Sequence, residues 1–213
     1  MILVNFEAFV KELWSEKTPV FSLDNAQKIL GSSRGYASLF ISRNVKKGRL
    51  TFIKKGLYAL PESTYAEIAT NISAPSYMTM ASALYYHSLV DQMPNSIVVF
   101  NTGVSTKMNV KTADGTYDIR LVKTLPKRVF GFERERSGKG FAYVALPEKA
   151  VVDAIYMPEY CPKAYIDDAL TSERLNIELL KKYALRMESK ALLKRLDDAM
   201  KSNGLKVGVG SNT

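Results

Sequence analysis

Pro19, Gly31, Gly48, Gly56 and Pro61 cut the first third of the chain into pieces that only a small, turn-rich unit can use. Before and between these breaks the apolar residues keep helical spacing. Leu3, Phe6, Phe9, Val10 and Leu13 mark a first helix over 3 to about 14. Ala26, Ile29 and Leu30 mark a short second one, with Ser22 or Asp24 as its N-cap. Ala37, Phe40, Ile41 and Val45 mark the inner face of a third, over about 33–47, joined to the second by the turn Gly31-Ser32-Ser33. After Gly48, a helix terminator, two short apolar runs, 50–53 and 57–60, flank Lys54-Lys55-Gly56 and read as a hairpin. Three helices followed by a basic-tipped hairpin match the plan of a winged helix-turn-helix, which sends the second helix of its pair into the major groove of DNA.

Charge falls on the same stretch. The chain carries a formal +9, and between 25 and 61 there is no Asp or Glu. Lys28, Arg34, Arg43, Lys46, Lys47, Arg49, Lys54 and Lys55 lie there, so +8 is concentrated on this segment and 9 − 8 leaves +1 for the rest. A chain basic only for solubility would spread that charge; concentration points to an anionic partner. The plain alternative is a solvated basic face. Under the DNA reading, Ser32, Ser33, Arg34, Tyr36 and Ser38 sit at the start of the third helix, where this motif reaches base edges, and Arg34 is the base-reading candidate because guanidinium binds guanine O6 and N7 together. Ser32 or Ser33 equally suits a helix cap. Arg43, Lys46 and Lys47 fit phosphates, Lys54 and Lys55 at the hairpin tip would reach a phosphate or a minor groove, and Arg49 belongs to the same DNA-binding set.

Beyond 61 the pattern is mixed. A linker-like helix over 65–72 and a helix over 79–89 precede strands at 97–100, 108–111 and 117–122, the last two flanking the turn signal Asp114-Gly115. Further strands are expected at 128–132 and 141–146, separated by an exposed loop over 134–140, and helices at 147–156, near 164–170, at 176–185 and at 188–201. The expected architecture is α+β: a winged helix-turn-helix over 1–73, a mixed α/β domain over 74–202 with a small antiparallel sheet and C-terminal helices, and a flexible tail over 203–213.

Several chemistries find no support. Cys161 and His87 are the chain's only cysteine and histidine, which argues against a disulfide or a metal site, and no cofactor motif stands out. Gly138-Lys139-Gly140 lacks the spacing of a phosphate-binding loop. Glu148, Lys149 and Asp153 fit a helical ion pair between 149 and 153 better than a carboxylate active site, so no catalytic residue is assigned and a non-enzyme is expected. His87 reads as a packed or hydrogen-bonded histidine. The start lacks a basic n-region and no apolar run spans a bilayer, so a cytoplasmic protein without membrane attachment is expected.

Three blocks carry a family likeness. Lys54-Lys55-Gly56-Leu57-Tyr58-Ala59-Leu60, then 75–87 with Ser76-Tyr77-Met78-Thr79 and Ser82-Ala83-Leu84, then Leu146-Pro147-Glu148-Lys149-Ala150 running on to Tyr156, resemble the AbiEi-type antitoxins of type IV toxin–antitoxin systems. The order is the family's and the blocks cover roughly 50–157; the sequence departs at Ser88, where the family often has glycine. The resemblance implies a repressor that binds promoter repeats in duplex DNA, as a homodimer or cooperatively, and a C-terminal region that counteracts a nucleotidyltransferase-like toxin with or without direct contact. A solitary winged-helix regulator and a protein-interaction module are the competing readings. A nucleic-acid enzyme built on a second basic strip (Lys107, Lys111, Arg120, Lys123, Lys127 and Arg128) would need clustered metal-binding carboxylates, which that strip lacks; the weaker alternative for the strip is an extension of the DNA footprint.

Overall fold

The computed structural model describes residues 5–112 and 115–205. Leu3 of the expected first helix, Asp114 of the expected turn and residues 206–213 of the expected tail lie outside them. The order of the first elements is α1 (Phe6–Ser15), β1 (Val20–Ser22), α2 (Leu23–Leu30), α3 (Arg34–Lys46), β2 (Thr51–Lys54) and β3 (Leu57–Ala59). Side-chain caps fix the helix starts. Asn5 accepts from Ala8 N–H, Ser33 accepts from Tyr36 N–H, and Ser22 forms a reciprocal capping box with Asn25. Gly48, at φ +70, closes α3: its N–H donates to Val45 O, and Arg49 N–H donates to Asn44 O. β1, β3 and β2 form a three-stranded antiparallel sheet in that order. β1 is absent from the expected plan because three residues after a proline show no period. Phe9, Leu13, Phe21, Ala26, Leu30, Ala37, Ile41, Leu50 and Leu60 bury together as one core, with Phe9 edge-on to Phe21 and Phe40.

The second core is larger. α4 (Tyr65–Asn71), the helix expected as a linker, buries Ala66, Ile68 and Ala69 and packs on β4 (Ser76–Met78) and β9 (Gly140–Ala145). The chain continues through α5 (Met80–Tyr86), β5 (Ser96–Asn101), β6 (Thr106–Lys111), β7 (Thr116–Lys123) and β8 (Phe132–Ser137), with β9 completing the strands. The sheet expected to be small and antiparallel is six-stranded and mixed, in the order β6-β7-β5-β4-β9-β8. Its hairpins are antiparallel, but β5 pairs with β7 and β4 with β9 in parallel. Neighbourhood in sequence betrays hairpins, whereas parallel pairs join segments far apart in the chain. β4, fully buried and three residues long, carries no alternation to read. The strand expected at 128–132 is instead a 3-10 turn, Pro126–Arg128, and a connection into β8, and the loop expected over 134–140 is the β8–β9 hairpin. Charge misleads there: Glu133, Arg134 and Glu135 lie on an edge strand, where polar side chains face water on one side and discourage pairing on the other.

α6 (Pro147–Tyr156) is buried from Glu148 to Ile155 and is wrapped by α5, α7 (Lys163–Thr171), α8 (Ile177–Arg186) and α9 (Lys190–Ser202). A helix buried on every side is the one place where a charged pair must satisfy itself. No helix among the described residues is long and apolar enough to cross a membrane. The described residues form a mixed α+β structure with two sheets.

Candidate nucleic-acid interface

At 3.6 residues per turn, the buried positions of α3 (Ala37, Ile41 and Asn44) define one side, and Gly35, Leu39, Ser42, Arg43 and Lys46 fall on the opposite line. Their exposure agrees with that geometry. Asn44 is drawn inward because its amide donates to Phe40 O, 2.9 Å away.

The structure distributes the expected site residues unequally. Arg43, Lys46 and Lys47 are exposed on α3 and its C-cap, and Lys54 and Lys55 are exposed at the β2–β3 tip, which Gly56 turns at φ +79. None of these five cations meets a carboxylate among the described residues. Ser38 is exposed beside them, and Tyr36 lies at the margin of the face, 36% exposed. Ser33 is committed to capping α3, while the Ser32 hydroxyl donates to Ser33 O at 3.4 Å. Arg34 is paired with Asp24, the carboxylate just outside the acid-free stretch, with both side chains about two-thirds exposed. Arg49 lies over the Phe6 ring at 5.5 Å, which ties the loop after α3 back to α1. Lys28 is on α2, lining a groove with Glu12 of α1 and Glu16, the C-cap of that helix. The stretch therefore delivers seven of its eight cations to α3, the loop after it and the β2–β3 hairpin. Leu39 on α3 and Phe52 on β2 are also exposed, 48% and 54%, and the charge pattern does not register them. Helical spacing from Gly35 would have placed Leu39 outward; Phe52 is outward by strand alternation with Ile53.

The second basic strip is dispersed. Lys127 pairs with Glu188, Arg128 engages Tyr156 and Met187 O, and Arg120 lies over the Tyr160 ring at 5.2 Å. Only Lys107, Lys111 and Lys123 are exposed without an ion pair among the described residues.

The family-like blocks meet in the second core. Lys149 and Asp153 form the expected i, i+4 pair, and both side chains are wholly buried. Asp153 Oδ2 also accepts from Tyr77 OH at 3.0 Å and Thr79 Oγ1 at 2.8 Å. Lys149 Nζ lies 4.7 Å from the Phe130 ring centre. Burial pushes the Asp153 carboxyl up and the Lys149 ammonium down, each against the pull of its partner. Glu148 turns the other way and accepts Asn176 N–H at 2.9 Å. His87 Nε2 lies 2.8 Å from Ala145 O, the hydrogen-bonded role expected for it. Among the described residues no group of three or more His, Cys, Asp or Glu is placed to hold a metal ion. Compared with known proteins, the chain matches no family model and no curated sequence.

Proposed function

We propose that residues 5–60 form a winged helix-turn-helix and that the chain is a transcriptional regulator that binds duplex DNA through α3 and the β2–β3 hairpin. The observation that carries the reading is the exposed cationic face formed by Arg43, Lys46 and Lys47 with Lys54 and Lys55, none of them ion-paired among the described residues. The element order, with the helix pair α2–α3 followed at once by a hairpin, supports it. Duplex DNA holds condensed counterions that such cations displace, and their release drives binding. On this reading Arg43, Lys46 and Lys47 hold phosphates, Ser38 and Leu39 face the base edges, and Arg34 reaches DNA only by leaving Asp24. The test is a titration of the DNA upstream of the chain's own reading frame at several salt concentrations. With about five phosphates neutralised per subunit, log K falls against log salt with a slope near −4.5. A salt-insensitive affinity contradicts the reading.

The antitoxin role is a second, separate proposal resting on the resemblance over 50–157. One observation favours it: the second and third blocks lock together through Tyr77, Thr79 and Asp153, so their residue types belong to one structural unit. Co-expression with the product of the adjacent reading frame tests it. Relief of a growth arrest caused by a nucleotidyltransferase-like product is the expected result. Absence of relief, with DNA binding intact, leaves a solitary regulator; loss of DNA binding as well leaves an interaction module.

A further inference from the structure

We propose that the outer edge of the six-stranded sheet, strand β6 with Lys107 and Lys111, continues the DNA-binding surface, so that a duplex is gripped from both cores of the molecule. This rests on the DNA reading above and extends it to the second half of the chain. β6 is the end strand of its sheet, β2 is the end strand of the other, and the two lie against each other. A groove of about 460 Å³ runs between them, walled by Val45 and Gly48 at the end of α3, Phe52 of β2, and Lys111 of β6. Lys111 therefore stands beside the end of the helix that carries Arg43, Lys46 and Lys47.

The register puts Lys107, Asn109 and Lys111 on one face of β6, opposite Arg120, Asp118 and Thr116 of β7. The carboxylate of that set, Asp118, accepts a hydrogen bond from Asn109 Nδ2 at 2.8 Å, and Arg120 is occupied by the Tyr160 ring. Lys107 and Lys111 are exposed and form no ion pair among the described residues. Four residues apart on a strand, they are separated by roughly 13 Å, a span of about four base pairs along a duplex axis. The competing explanation for lysines on an edge strand is that they discourage strand addition by another molecule.

The experiment uses the full chain and a fluorescein-labelled, mixed-sequence duplex of about 30 bp, with anisotropy titrations over a range of salt. Lys107→Gln/Lys111→Gln is compared with Lys54→Gln/Lys55→Gln. Each double substitution is expected to flatten the log–log salt slope by about 1.8, the loss of two phosphate contacts. Lys107→Arg/Lys111→Arg is expected to keep the wild-type slope, a rescue that misfolding would not produce. A slope flattened by the hairpin pair and untouched by the β6 pair overturns the inference and leaves edge protection as the role of these lysines, read as self-association of the Gln variant in sedimentation. Failure of the wild-type chain to bind, or a slope that neither pair changes, overturns the DNA reading itself and this extension with it.

Discussion

Ser88 lies just past α5 in the left-handed region, at φ +57, while its N–H donates to Tyr85 O and Leu89 N–H donates to Leu84 O. This is the helix ending that glycine favours, which gives a physical reason for the glycine that the resemblance expects there. Ser88→Gly should raise stability by up to about 1 kcal/mol in urea unfolding, since the left-handed strain of serine outweighs the added chain entropy; an unchanged or lower midpoint would contradict this. At the buried pair, Lys149→Met should cost about 3–5 kcal/mol by leaving Asp153 without its cation. Adding Asp153→Leu should recover a large part of that loss, and no recovery would mean that packing, not charge, dominates there. Glu67 is buried and accepts N–H groups from Thr64 at 2.7 Å and Gly140 at 2.6 Å. Burial outweighs these bonds and raises its carboxyl above the ordinary 4.5. The folded state therefore holds this proton to higher pH than the unfolded chain, so the group's contribution to stability declines as pH rises from 4.5 through the raised value. The stability difference between wild type and Glu67→Gln should fall across that window; a difference flat with pH would refute the assignment.

At the scale of elements, α3 and α2 are joined by the turn at Gly31 and by the Arg34–Asp24 pair. An exposed pair of this kind contributes only between about 0 and 1 kcal/mol to folding, and under the proposed DNA reading it competes with the duplex for Arg34. Asp24→Asn should leave stability within about 0.5 kcal/mol and tighten duplex binding by about two- to fivefold by freeing Arg34. Arg34→Ala should then cost more affinity in the Asp24→Asn background than in wild type, and equal costs would remove Arg34 from the interface. α1, α2, α3 and the β2–β3 hairpin are legible in the sequence because caps, glycine turns and apolar spacing agree locally. The same agreement places α6 at 147–156 to the residue. Arg34 looks free in the sequence because its partner lies ten positions away, a distance no local pattern registers. β4 and the parallel pairs β4–β9 and β5–β7 escape such a reading because they are decided by packing between distant segments. The β8 strand is hidden by its own charges, whose reason is the edge position.

The molecule as a whole has two cores that meet along one seam. Across it, Lys17 lies over the Phe141 ring at 5.2 Å and Lys139, at the β8–β9 turn, lies over the Trp14 ring at 5.5 Å. Gly140, which Glu67 grips, also abuts Pro19 of the first unit: a side chain there would come within 2.7 Å of the carboxylate and 3.3 Å of the proline ring. Ile53 and Ala59 of the hairpin are buried with the second core rather than the first. The hairpin that carries Lys54 and Lys55 is thus braced by the larger half, and the cationic face is presented on a fixed base. The sequence could show where the charge lay but not which half steadied it. Backbone amide shifts of the isotope-labelled full chain, followed by NMR as duplex DNA is added, decide whether this cationic face is the one that meets a duplex. Shifts confined to residues 35–47, to the hairpin tip at 54–56 and to the adjoining β6 edge are the expected result. Shifts that avoid α3 and the tip, or none at all, would contradict it.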